Sequence, residues 1–223
     1  MLLEIPELLS GEEVASVTNA LSRGRFVDGR LTAGKAARNV KHNEELDRSS
    51  EMRDVLARAL IGSLYRSEQF RAAVLPHRIS TPLVARYQPG MAYGDHVDDP
   101  VMGEGERYRS DVSVTIFLSP QEAYDGGELV IRTAFGEQQV KLPAGGAVIY
   151  PSSSLHRVAE VTRGERLVGL CWVQSLVRDP SQRELLFELG QARDRLLANA
   201  RGSEESEWVD RSYVNLLRMW SEL

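Results

Sequence analysis

Between residues 78 and 178 the chain is a succession of short apolar runs: "ISTPLVARY", "DVSVTIFLS", "GELVIRT", "QQVKL", "GAVIYPS", "HRVAEVT" and "RLVGLCWVQSLV". Each is rich in Val, Ile, Leu or aromatic residues and is bounded by Gly, Pro, Asp or Ser, the composition of half-buried strands and tight turns. Too little helical sequence separates them for the crossover helices that a parallel sheet requires, so antiparallel pairing in a sandwich or barrel is expected. This places a β core over about 78–178.

Helical patterns flank that core on both sides. Residues 10–23 open with Ser10 and Glu13 in capping-box spacing, and Val14, Val17 and Leu21 then recur at helical intervals. A second helical pattern covers 50–65, "SEMRDVLARALIGSLY". Between them, 24–49 is polar and contains glycine, and it carries His42. Past "RDP" at 178–180 the helical period returns in "SQRELLFELGQARDRLLANA" and again in "EWVDRSYVNLLRMWSEL". Leu185, Leu186, Leu189, Leu196 and Leu197 line the first of these helices, and Trp208, Val209, Leu216, Leu217 and Trp220 the second. Such faces pack on each other and on the core, or they join subunits; the second reading gives a homodimer or higher homo-oligomer. The expected organisation is an N-terminal helical support region at 1–77, the core at 78–178 and a C-terminal helical extension at 179–223.

At 223 residues such a chain buries roughly 70% of its unfolded surface and needs no covalent staples. Its one cysteine, Cys171, forms no intrachain disulfide and reads as small buried packing. The formal net charge of -5 argues against a general nucleic-acid binder, whose affinity rests on Lys and Arg against phosphate. The N-terminal residues lack the basic start and apolar run of a secretory signal, and no apolar run approaches the roughly 18 residues of a membrane span. A cytoplasmic protein that binds neither nucleic acid nor membrane is expected.

The chemistry concentrates in "YQPGMAYGDHVDDP", residues 87–100. On or just past a strand, His96 and Asp98 point to one side while Val97 points away, so an imidazole and a carboxylate can meet one ion. Asp95 and Asp99 have the other parity. HxD alone is more often a satisfied turn; "IYPSSSLHRV" supplies the third ligand in His156, at the start of another strand. Two histidines and a carboxylate make the facial triad of non-haem Fe(II) oxygenases, although the same donors also hold zinc. Ten residues on, Arg166 begins the next strand. An arginine aimed into an apolar barrel is costly unless it meets an anion, and its fork suits the distal carboxylate of a 2-oxo acid. Arg163, beside Gly164 in the hairpin turn, is the alternative. Tyr87 ends the strand "LVARY", from which its hydroxyl would reach the same carboxylate; a half-buried core tyrosine is the bland reading. Arg109 and Asp111 form an outer salt pair in preference to facing the pocket. Trp172 and Gln174 share a strand face from which both can line the pocket, although a tryptophan there is more often core, and His77 reads as a surface or capping residue.

Taken together, "RYQPGMAYGDHVDDP", "SVTIFLS", "YDGGELVI", "GGAVIYPSSSLHRVAEVTRGERLVGLCWVQSLVRD" and "YVNLLRMWSEL" resemble the bacterial PKHD-type hydroxylases, relatives of the prolyl and lysyl hydroxylases. The likeness spans nearly the whole chain. It implies a double-stranded β-helix, or jelly roll, in an α+β protein that is an oxidoreductase using Fe(II), 2-oxoglutarate and molecular oxygen. It implies iron ligation by His96, Asp98 and His156, a 2-oxoglutarate grip by Arg166 and Tyr87, L-ascorbate (vitamin C) as supporting reductant, and a link to iron uptake and homeostasis. The resulting expectation is a dioxygenase hydroxylating an unactivated C–H bond in an unidentified small molecule or peptide. The competing classes are an iron- and 2-oxoglutarate-binding sensor or interaction module, and a zinc hydrolase, against which Arg166 and the lack of an HExxH arrangement both weigh.

Overall fold

The apolar runs form strands, and among the described residues every strand pairing is antiparallel. The computed structural model describes all residues except 35, 36, 48, 50, 51, 104 and 223. Among these, an eight-stranded sheet runs in the order Leu3–Ile5, Ala147–Pro151, Val112–Phe117, Arg166–Ser175, Leu83–Tyr87, Glu44–Leu46, Phe26–Asp28, with Pro76–Ile79 also paired to Arg166–Ser175. Facing it, a five-stranded sheet runs Gly136–Val140, Leu129–Thr133, His156–Val158, Ala92–His96, Lys41–His42.

Alternation along the central strands divides the molecule into layers. On Val112–Phe117, Val112, Val114 and Ile116 join a core shared with the helices, while Ser113, Thr115 and Phe117 point the other way. Phe117 belongs to a second core between the sheets, with Ala85, Tyr87, Ile131, Val148, Tyr150 and Val168. The long strand obeys the same rule: Cys171 and Val173 face the helices, and Arg166 and Val168 face the inter-sheet space.

Five helices cover the large sheet and its end: α1 (Gly11–Leu21), α2 (Met52–Arg66), α3 (Glu68–Val74), α4 (Pro180–Asn199) and α5 (Glu204–Trp220). The capping box at α1 is present: the Ser10 hydroxyl accepts from the Glu13 N–H, and the Glu13 carboxylate accepts from the Ser10 N–H at 2.9 Å. The expected start of the second helix at residue 50 lies outside the described residues. Helix α2 buries Leu56, Leu60 and Leu64 at four-residue intervals, each stabilising by about 1.5–3 kcal/mol relative to exposure. Helices α4 and α5 form a hairpin, tied by Arg193 to Asp210 at 2.6 Å. Tyr213, Leu216, Leu217 and Trp220 pack against Leu75, Val177 and Leu186, while Trp208 and Met219 stay exposed.

The stretch 24–49, read from the sequence as polar and glycine-containing, contributes short strands to both sheets: Phe26–Asp28 and Glu44–Leu46 to the large one, Lys41–His42 to the small one. It thereby forms a strap linking the two sheets. Its inward residues, Lys41, Asn43 and Glu45, are buried although all are polar. Lys41 and Glu45 are held inside by pairing with each other and with Thr32, whereas both side-chain polar atoms of Asn43 lack a partner.

Candidate metal centre and cosubstrate cavity

His96 closes the strand Ala92–His96 and stands directly opposite His156, the first residue of His156–Val158. Directly opposed residues of an antiparallel pair bring their side chains together; here the two imidazole centroids are 4.2 Å apart. Val97 is 48% exposed while its neighbours His96 and Asp98 turn inward, the alternation expected from the sequence. Donor atoms of His96, Asp98 and His156 all lie within 4.8 Å of one another.

Backbone carbonyls fix both rings. His96 Nδ1 is 2.8 Å from the Gly94 carbonyl, and His156 Nδ1 is 2.9 Å from the Ser154 carbonyl. A carbonyl only accepts, so each Nδ1 carries the proton and each Nε2 is free to ligate. Ser113 donates to Asp98 Oδ2 at 2.5 Å and contacts Ser152 at 2.8 Å. This leaves Asp98 Oδ1 facing His156 Nε2 at 4.0 Å. Outer hydrogen bonds of this kind orient ligands and tune their basicity. Tyr93 stacks on His96 at 3.6 Å, and Tyr150 meets His156 edge-on at 5.1 Å. Burial, reinforced by the facing His156, pushes His96 down to about 4, so its imidazole is neutral and available to a metal at neutral pH.

Deeper between the sheets lies Arg166, 1% exposed. It pairs in register with Tyr87 across the neighbouring strand, and its guanidinium lies 5.0 Å from the Tyr87 ring and 5.6 Å from that of Phe117. Its Nε and Nη1 are buried without a partner, as is the Tyr124 hydroxyl. Gly127, with φ +68°, leaves room for the arginine stem: a Cβ there would lie 2.9 Å from Arg166 Cδ. Arg163, the alternative from the sequence, is an exposed residue bound to Asp125 at 2.6 Å. Burial pushes the Tyr87 phenol up to about 12, with Arg166 opposing the rise, so the hydroxyl is protonated and able to donate.

Triad, Arg166 and Tyr87 line one cavity of about 800 Å³. Two imidazoles and a carboxylate are a donor set that fits Fe(II), and a buried arginine with unpartnered nitrogens fits a carboxylate. The profile of the 2OG-Fe(II) oxygenase superfamily matches residues 82–174. A PKHD-type hydroxylase of Thioalkalivibrio sulfidiphilus is 53% identical over the full length of both chains, and one of Thermosynechococcus vestitus is 46% identical, also over both full lengths. The chain belongs to the PKHD-type hydroxylases. As a member with an intact facial triad, it is an Fe(II)- and 2-oxoglutarate-dependent hydroxylase. In fold it is similar to a Pseudomonas putida prolyl-4-hydroxylase (22% identity, TM-score 0.57, covering 78% of this chain and 92% of that one). It is likewise similar to a Trichoplax adhaerens prolyl hydroxylase in complex with a hypoxia inducible factor peptide fragment (17% identity, TM-score 0.55, 82% and 86% covered).

The remaining candidates of this PKHD-type chain sort by parity and partner. Asp95 is exposed near Arg132 and Arg157, each at 3.5 Å, and Asp99 is exposed at the cavity mouth. Asp111 pairs with Arg109 at 3.2 Å and accepts from the Ser175 N–H at 2.9 Å, outside the cavity. Gln174 accepts from the Arg109 N–H, whereas Trp172, two residues earlier, lines the cavity. Burial raises the Cys171 thiol to about 12, which makes it inert packing. His77 is exposed, and exposed His42 lies 3.1 Å from the Gly90 carbonyl. Sequence reasoning missed Ser113, Tyr93, Tyr150 and the strap residues. Ser113 had a signal, being a serine on the inward parity of a strand whose other face is Val112, Val114 and Ile116.

Proposed function

We propose that His96, Asp98 and His156 hold Fe(II), and that Arg166, with the Tyr87 hydroxyl, grips the distal carboxylate of 2-oxoglutarate. The observation that carries this reading is the buried Arg166 with two unpartnered nitrogens on the wall of the cavity that the triad also lines. A buried cation of this kind is expensive until an anion meets it. When bound, the metal and its cosubstrate use molecular oxygen to hydroxylate a C–H bond, with 2-oxoglutarate leaving as succinate and carbon dioxide. The protein's part is positional. Gly94 and Ser154 carbonyls hold the two imidazoles, Ser113 holds Asp98 Oδ2 and leaves Oδ1 free to ligate, and Tyr93 and Tyr150 wall the site.

The two facing sheets and the kinship with prolyl hydroxylases support a double-stranded β-helix over 78–178, with 1–77 as support and 179–223 as a helical extension. The cavity volume exceeds what a five-carbon diacid fills and leaves space for a small molecule or a peptide side chain. Ascorbate as supporting reductant and a role in iron homeostasis rest on the family resemblance, a homodimer or higher oligomer on the apolar faces of the C-terminal helices, and a cytoplasmic location on the sequence reading above.

Anaerobic titration of the metal-free protein with Fe(II) and 2-oxoglutarate tests it. We expect metal-to-ligand charge-transfer absorption in the wild type and none in His96→Ala. Mass spectrometry of cell extract should then find a product 16 Da heavier with the wild type only. Absence of the absorption band in the wild type would remove the basis of the proposal.

A further inference from the structure

The N-terminal strap places one polar side chain in the cavity that nothing in the site accounts for. Thr32, Lys41 and Glu45 satisfy one another: the Lys41 ammonium pairs with the Glu45 carboxylate, which also accepts from Thr32 Oγ1 at 2.7 Å. Asn43, between them, is 3% exposed and lines the cavity, yet both its Oδ1 and its Nδ2 are buried without a hydrogen-bond partner. A sealed, unpartnered carboxamide costs stability, so its retention calls for a use.

Register supplies one. Glu44 pairs with Arg86 and Glu45 with Ala85; the same register continued by one residue sets Asn43 beside Tyr87, and Tyr87 pairs in turn with Arg166. Asn43, just ahead of the strand Glu44–Leu46, therefore falls in line with Tyr87 and Arg166 on the two neighbouring strands, with the phenol between the amide and the guanidinium. Gly29 makes room for the amide: a Cβ there would stand 2.0 Å from Asn43 Oδ1, and the Gly29 N–H donates to the Asn43 carbonyl at 2.9 Å. Arg166 and the carboxamide both oppose the upward push of burial on the Tyr87 phenol.

We propose that Asn43 is a positioning residue for the cosubstrate, acting through Tyr87: its amide orients the phenol so that the hydroxyl donates to the 2-oxo acid held by Arg166. This rests on the cosubstrate grip proposed above. It extends that grip to a segment outside the matched region 82–174. A donor to the phenol oxygen strengthens the hydrogen bond that the phenol gives, because chained hydrogen bonds polarise one another.

The test is calorimetric titration of 2-oxoglutarate into the Zn(II)-substituted full-length protein, with Zn(II) affinity and Tm recorded for each variant. Asn43→Leu is expected to weaken 2-oxoglutarate binding about tenfold while Zn(II) affinity stays within twofold. In a Tyr87→Phe background the same substitution should add less than twofold, because the group it acts through is gone. Gly29→Ala, which displaces the amide without removing it, should reproduce the loss, and decides the matter if Asn43→Leu does not fold. Unchanged affinity in the folded variant, or an equal loss in the Tyr87→Phe background, would overturn the inference. If Arg166→Leu weakens binding and Asn43→Leu does not, only this inference fails. If the wild type binds no 2-oxoglutarate, the underlying reading fails first.

Discussion

Two buried arginines, one at the start of the long strand Arg166–Ser175 and one in the helix that follows it, are treated in opposite ways. Arg183, on α4 at the junction with the long strand, is 4% exposed, and its Nη1 donates to the carbonyls of Val177 and Arg178 at 2.7 Å each. It leaves no buried nitrogen unpartnered, and burial lowers its pKa, with Asp111 and Asp179 opposing the shift. Arg166 is buried as deeply between the sheets and leaves Nε and Nη1 without partners. The first arginine is a structural clamp whose bonds close within the fold. The second is an open valence, and its neighbours Tyr124, Tyr87 and Phe117 offer it rings and hydroxyls but no carboxylate. Burial alone therefore says little about role; the accounting of hydrogen bonds separates the two.

The comparison can be broken most directly at Arg166. Replacing it with Leu should raise the Kd for 2-oxoglutarate on the order of 100-fold, the scale of a charge-assisted pair, while the Tm of the ligand-free protein holds or rises because a buried unpaired cation is removed. Calorimetry and a thermal melt check both halves, and a large fall in Tm would return Arg166 to the structural class. Arg183→Met should do the reverse. Two carbonyls lose their donor, so stability falls by about 2 kcal/mol in a urea titration, and 2-oxoglutarate affinity stays put. Ser113→Ala sharpens the metal side: with Asp98 Oδ2 released, affinity for Fe(II) or Zn(II) should drop about tenfold, at the lower end of losses from outer hydrogen bonds to ligands, read by competition with a chelating dye. Smallest of all, Arg163→Ala on the surface should leave cosubstrate affinity and Tm where they were, since exposed ion pairs contribute little. A loss of 2-oxoglutarate binding there would reopen the choice between the two candidate arginines of that hairpin.

Legibility followed periodicity. The strands of the core and the helices on either side announce themselves through period-two and period-3.6 patterns, and the HxD parity at His96 and Asp98 carried over without change. The choice of Arg166 over Arg163 was a preference from turn position alone. Its physical basis appeared only with the register that sets Arg166 against Tyr87 and leaves Arg163 outside with Asp125. The strap was not legible. Lys41, Asn43 and Glu45 alternate with His42 and Glu44, so every position is polar and no amphipathic contrast marks which face turns inward. For Trp172, strand parity leaves cavity wall and core both open, and the structure sets it on the cavity wall.

By itself the sequence determined the antiparallel core, its helical flanks and the metal-binding triad, because each depends on local alternation or on spacing along one strand. Tertiary structure decided what meets what across strands. It brought His96 opposite His156, left Arg166 without an internal anion, and set the Asn43 amide in line with Tyr87. Those relations are fixed by strand register and by which polar groups remain unpaired once the backbone has closed its own hydrogen bonds, and neither is written in any single segment of the chain.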